Sequence, residues 1–475
     1  MRRFVFAISA LVIMSCSGEV SQNFGCGCPI YPDYMDVTVP AGIAPLNFDY
    51  CIPADDAVTV FSYGDLTYRF KGPEIRWNAG NWRRLLSAAT DNDIQVTSSV
   101  IDRSWTIHVS GDDIDYGLNY RLLEPGYEVY SKMGIYERDL SSFRQRTLID
   151  NNDFSGCVNC HAYNRADPSG MTLHIRGDHG ATLLMKEGRI EAYDTKTDST
   201  SGFCVYPYWH PSGKYIAYST NNTRQSYHTK AEKLIEVFDL ASDVQVYDVE
   251  HNCLILNPSV RQKGMWETFP VFSADGRTLF FCAASEKNID TELESVRYNL
   301  YKVSFDPESG TIGDDVELVI DAESDGKSIS FPRPSYDGRF LVYTLSDYGQ
   351  FSIWHHEADL WKLDLLSGET SPAVEVNSGD TESFHNFSSN SRWMVFSSRR
   401  DDGQFTRLYI AHVDENGCFS KAFMLPQKNP RRYYGTLFMS YNVPEFVSGP
   451  VSFSHTKAAR AINGDARIPF GVKHE

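Results

Sequence analysis

Four stretches of this chain align with one another without gaps, and that repetition constrains the fold more than any other feature. They run Pro207–Lys214, Pro270–Arg277, Pro332–Arg339 and His385–Arg392. The glycines Gly213, Gly276 and Gly338 stand 63 and 62 residues apart, and Ser391 takes the same place 53 residues further on. Each block ends in a tight-turn pattern. A Ser or Asp side chain folds back onto the turn backbone, and Gly accepts the left-handed conformation without steric cost. An apolar strand follows each block: Tyr215 to Ser219, Thr278 to Cys282, Phe340 to Thr344 and Trp393 to Ser397. A second strand recurs later in three units, at Leu300 to Val303, Leu360 to Asp364 and Leu408 to Ala411. One such unit cannot bury both faces of its sheet, so units of this period stack as the blades of a β-propeller.

The Pro-x-Phe-Ser-x-Asp-Gly-Arg block followed by a Leu-Trp/Tyr-x-x-Asp strand resembles the WD40-like (PD40-type) repeat of TolB-like propellers. The resemblance covers residues 115–450 and implies an all-β fold with a six-bladed propeller. Two degenerate blades complete that number, one beginning at Gly134 to Leu140 and one from Ala181 to Tyr193. Seven blades stay open as an alternative.

Residues 36–112 lack the repeat. Val37 to Val39, Val58 to Tyr63, Leu66 to Phe70 and Trp105 to Val109 read as short strands, with Trp77, Trp82 and Trp105 available as a core. A small N-terminal β-sandwich of immunoglobulin or fibronectin type is expected there.

The first fifteen residues read as a targeting segment. Arg2 and Arg3 precede a short apolar run from Phe4 to Met14, and Ile13-Met14-Ser15-Cys16 resembles a bacterial lipobox. The run is too short to span a bilayer. The expectation is a lipoprotein signal peptide over 1–15, lipidation of Cys16, and a tether over 16–35. The protein would then be anchored to a membrane in the cell envelope of a Gram-negative bacterium, in an oxidising compartment. The chain carries 44 Lys and Arg against 62 Asp and Glu, a net charge of −18, so a polyanion would be repelled and nucleic acid is not an expected partner.

The chemistry-bearing motif is Cys157-Val158-Asn159-Cys160-His161. Cys-x-x-Cys-His is the attachment sequence of c-type haem, and the resemblance to cytochromes c rests on these five residues alone. It implies one covalent haem c, with Cys157 and Cys160 joined to the vinyl groups and His161 as proximal iron ligand. Three other readings compete: a thioredoxin-like disulfide, half of a zinc site, and coincidence. The motif is expected on a loop spanning 150–180. Candidates for the sixth iron ligand lie just downstream, in the order Met171, His174, His179. If 171–176 is a strand, Met171 and His174 face opposite sides and only one can serve.

Of the ten cysteines, seven remain after Cys16, Cys157 and Cys160 are assigned. Cys282, Cys204 and Cys253 read as core residues, Cys26 and Cys28 are each candidates to pair with Cys51, and an odd number leaves at least one unpaired. There is no Gly-x-Ser-x-Gly elbow, no phosphate-binding glycine loop and no His-Glu-x-x-His. Ser454-His455-Thr456-Lys457 matches Ser-x-x-Lys by chance in a C-terminal tail over 451–475, and His355-His356-Glu357 with Asp359 reads as a solvated loop.

The leading functional expectation is an electron-transfer or redox-sensing protein working with a redox partner or other envelope proteins. One alternative is a non-catalytic interaction scaffold in which the motif is structural. Another is a haem enzyme acting on a small molecule.

Overall fold

The computed structural model describes residues 27–124, 132–154, 156–228, 233–464 and 466–474. Six sheets form the blades of a propeller, antiparallel throughout except for one late edge strand in each of blades two and three. The first strands of blades two to six are Cys157–Asn164, Cys204–Trp209, Met265–Phe272, Ser328–Pro334 and Glu382–Phe387. In blade one that place is taken by Ser440–Val447, which pairs with Gly117–Leu123 from the other end of the propeller sequence. Each of these six strands contacts the corresponding strand of its two neighbours, so the ring closes on itself. Closure by a late strand beside an early one ties the ends of the propeller together and leaves no open sheet edge at the seam.

The repeated turn block works as its residues dictate. Ser273 Oγ donates to Asp275 at 2.6 Å, and the Thr278 amide donates back to Ser273 Oγ at 3.0 Å. Ser335 with Asp337 and Phe340, and Ser388 with Asn390 and Trp393, make the same pair of bonds. Gly276 and Gly338 hold φ of 73° and 75°, and Ser391 adopts 61° in the fourth copy. The two degenerate blades expected at Gly134 and Ala181 are blades one and two.

Residues 37–110 form a five-stranded mixed sheet in the order Val37–Pro40, Trp105–Ser110, Asn92–Ser98, Val58–Tyr63, Leu66–Lys71. A three-stranded sheet of Ile30–Tyr31, Phe48–Tyr50 and Glu74–Ile75 faces it, with the Phe48 ring 6.4 Å from Phe61 and 6.5 Å from Trp105. Two sheets do pack together. Two features depart from an immunoglobulin or fibronectin pattern: the parallel pairing of Val37–Pro40 with Trp105–Ser110, and a helix at Ala79–Ala88. Asn78 caps that helix, and Trp82, Leu85 and Leu86, spaced on one face, are buried.

Three boundaries read from the sequence are corrected. The tether ends by Ile30, because Ile30 and Tyr31 pair with the Phe48–Tyr50 strand and Tyr31 Oη donates to Asp401 at 2.9 Å. Residues 150–180 are no loop: Cys157–Asn164 and Asp167–Arg176 are the first two strands of blade two. Residues 451–475 are no tail. Ser454 caps a helix at His455–Asn463, which accounts for the Ser-x-x-Lys match. Ile468–Pro469 and Gly471–His474 then add parallel edge strands to blades two and three. Phe470 between them stacks on Tyr247 at 4.0 Å. Cys16, Cys26 and the segment 1–15 lie outside the described residues. No helix among the described residues is long and apolar enough to cross a membrane.

Candidate functional site

The first strand of each of blades two to six, and the closing strand of blade one, carries a β-bulge at the same place. The register slips between Val158 and His161, Val205 and Tyr208, Thr268 and Val271, Ser330 and Arg333, Ser383 and Asn386, and Asn442 and Glu445. In five of the six, the first unpaired residue is left-handed: Tyr206, Phe269, Phe331, Phe384 and Val443 have φ between 49° and 51°. A side chain in that region costs about 1–2 kcal/mol. Packing holds it there. The Phe269 ring lies 4.5 Å from Tyr206 and 4.3 Å from Phe331, which lies 4.7 Å from Phe384. These rings form an aromatic plug where the blades converge. The residue after each is proline in four blades (Pro207, Pro270, Pro332 and Pro444), which keeps the bulge outside the hydrogen-bonded ladder.

Above the plug opens a funnel of about 1410 Å³ including the solvent at its mouth. Its walls include Tyr206, Phe331, Phe351 and Phe384, together with Arg121, Arg176 and Arg333. The second and third strands of blade three, Tyr215–Tyr227 and Ile235–Asp248, are unusually long. They raise one side of the funnel through Thr223, Gln225, Ile235 and Val237.

In blade two the bulge is Asn159-Cys160, so the motif occupies the repeat position that aromatic-proline fills in blades three to five. Strict alternation would send Cys160 to the face opposite Cys157. The bulge instead lets Cys157, Asn159, Cys160 and His161 all line the funnel, while Val158 goes to the core between blades. Asn159 Oδ1 accepts from Arg121 at 2.9 Å, which fixes the bulge against blade one.

His161 is 2% exposed, and its Nε2 is buried with no hydrogen-bond partner among the described residues. Burial, reinforced by the Arg121 charge, drives its pKa down to about 3, so the imidazole is neutral and its lone pair is available. Burial also pushes the Cys157 thiol up, against the opposing pull of Arg121 and Arg176. A buried, protonated thiol on a strand lacks the lowered pKa and the helix N-terminus of a thioredoxin-like nucleophile. Among the described residues no three His, Cys, Asp or Glu side chains converge as a small ion requires, which disfavours the zinc reading. Haem does not ask for such convergence, since its thiols and its imidazole engage different parts of one large group.

Glu445, on the closing strand of blade one, also lines the funnel. Burial raises its pKa to about 7 although Arg333 and the Tyr163 amide, 2.8 Å away, favour the charged form. The funnel wall therefore carries three guanidinium groups opposed by few full negative charges.

None of the three downstream candidates for a sixth ligand reaches the funnel. Met171 is packed in the core between blades one and two with Leu173 and Ile175. His174 points to the opposite face of that strand, as alternation requires, with Nδ1 3.1 Å from Thr182 Oγ1 and its ring 5.5 Å from Phe203. His179 sits in the exposed turn before Ala181. The His355 loop is only partly solvated: His355 is buried against the Tyr348 ring at 4.7 Å and pairs with Glu357 at 2.9 Å, whereas the exposed His356 pairs with Asp380 at 2.8 Å. Sequence reasoning missed the plug rings and His385. The signal was present one residue before each of the four aligned blocks, where Tyr206, Phe269, Phe331 and Phe384 recur at a fixed offset.

No protein-family model and no curated protein matches the chain. Among solved structures, TolB from Acinetobacter baumannii is similar over 78% of this chain and 85% of its own, at 11% identity and a TM-score of 0.44. An oligogalacturonate lyase from Vibrio parahaemolyticus is similar over 64% of this chain and 74% of its own, at 12% identity and a TM-score of 0.38.

Proposed function

We propose that this protein is an exported, lipid-anchored β-propeller that holds one covalent c-type haem in its central funnel and passes electrons to an envelope partner. The observation that carries the reading is the bulge in blade two. It brings both motif thiols and a neutral imidazole, with an unpartnered ring nitrogen, onto one wall of a funnel lined by aromatic rings and arginines. A haem bound there supplies a one-electron ferric/ferrous couple.

The chain's own residues have separable tasks. Cys157 and Cys160 would provide the two covalent attachments and His161 would hold the iron. The aromatic plug would form the floor beneath the bound group. Arg121, Arg176 and Arg333 offer charge-assisted hydrogen bonds to carboxylates of a bound group. Cys16, beyond the described residues, would keep the funnel near a membrane surface.

The test is a denaturing gel stained for haem, run on chain co-expressed with cytochrome c maturation machinery, alongside intact-mass measurement. A stained band with a mass increase of one haem supports the reading, provided both vanish in Cys157→Ala/Cys160→Ala. A chain that stays unstained and unmodified overturns it.

A further inference from the structure

His385 stands at the blade-six position that matches Cys160 in blade two and proline in the other four blades. It is 2% exposed and lines the funnel. Its Nε2 lies 2.8 Å from the Val342 carbonyl, which can only accept, so this nitrogen carries the proton and donates. Nδ1 is then left as a bare lone pair, and it is buried with no partner among the described residues.

An unsatisfied buried nitrogen is costly unless something engages it. The arrangement, one ring N–H donated to a backbone carbonyl and the other nitrogen unengaged, is how metal-ligating histidines are oriented. Two more side chains on or near the funnel fail the same criterion. Met133 Sδ accepts from the Val158 amide at 3.3 Å. His228 is paired with Glu236 at 2.5 Å.

We propose that His385, through Nδ1, is the second axial ligand of the iron whose proximal ligand is His161. The inference rests on the haem reading above and replaces Met171, His174 and His179. It also explains why blade six departs from the aromatic-proline pair at this one position. With both His161 and His385 holding the iron, the site would move electrons and would leave no position at iron for a substrate.

The experiment uses full-length protein matured with haem and measures the ferric visible and electron paramagnetic resonance spectra of wild type, His385→Ala, His385→Met and His385→Pro. Proline is the residue that four other blades carry here, so His385→Pro guards against a folding defect in the alanine variant. The expected result is a low-spin wild type, and high-spin Ala and Pro variants that return to low spin with added imidazole. His385→Met is expected to shift the reduction potential upward, as methionine ligation does. Variants that keep covalent haem on a denaturing gel and an unchanged low-spin spectrum overturn the ligand assignment and leave the haem reading standing. Wild type with no haem on that gel overturns both.

Discussion

Replacing Phe331 separates the two forces that shape the plug. Its ring is 5% exposed and touches Phe269 at 4.3 Å and Phe384 at 4.7 Å, while its backbone sits at φ 50°. Removing a buried phenylalanine costs about 3–5 kcal/mol, and the edge-to-face contact with Phe384 adds about 0.5–1.5 kcal/mol beyond burial. Phe331→Ala loses the ring but retains a Cβ, so it still bears the ~1–2 kcal/mol penalty of the left-handed region. Phe331→Gly loses the ring and escapes that penalty, at an unfolded-state cost of about 0.5–1 kcal/mol. Glycine is therefore expected to be the more stable of the two, by about 0.5–1 kcal/mol. Phe280 is the control, since it is equally buried on the regular strand Thr278–Ser285, where glycine should be worse than alanine by about 0.5–1 kcal/mol. Urea midpoints of the four variants measure both differences. If alanine exceeds glycine at 331 as it does at 280, the account of strain held by ring packing is refuted.

Glu445 has a folded pKa raised to about 7, above that of an exposed glutamate, so the unfolded chain releases its proton first and stability falls as pH rises from about 4.5 to 7. Glu445→Gln, which keeps an acceptor for the Tyr163 amide, should flatten that part of the pH profile in denaturant melts; an unchanged slope would show that Glu445 is already ionised. Phe470→Ala should cost about 3 kcal/mol by thermal or urea unfolding, because it removes the ring stacked on Tyr247 at the outer edge of blades two and three. A loss under 0.5 kcal/mol would mean the segment 466–474 does not hold these blades. Truncation before Ser440 removes the closing strand and should abolish cooperative unfolding, leaving a chain that binds hydrophobic dye; a sharp, native-like transition would count against closure by that strand.

The blades were legible because their turns are local chemistry: Asp275 and Gly276 specify a tight turn wherever they occur. Blade two hid from the same reading because Asn164, Arg165 and Ala166 stand where Pro, Ser and Gly stand in blade three, although Ala166 still adopts φ 65° beside 69° for Gly213. The motif consequently looked like a loop rather than a first strand. The helix at Ala79–Ala88 was lost among strands because its apolar face amounts to Trp82, Leu85 and Leu86 only. Residues 468–469 and 471–474 show no alternation to find, since they add as exposed edges to finished sheets and only Phe470 between them is buried.

The candidate site was half legible. Cys157, Cys160 and His161 are adjacent in sequence and share a wall of the funnel. Met171, His174 and His179 qualify as their partners only if nearness in sequence means nearness in space. A propeller breaks that assumption, because equivalent bulges in different blades meet at the centre. His385, 224 residues beyond His161, lines the same funnel, whereas Met171, ten residues away, is walled off in the core between blades.

The most direct test of the haem account is the reduced-minus-oxidised visible spectrum, with a pyridine haemochrome assay, of the full-length protein co-expressed with cytochrome c maturation machinery. The account predicts a c-type α-band in the native protein and its loss in Cys157→Ala/Cys160→Ala. A native protein that folds with its funnel intact and shows no haem band would contradict it.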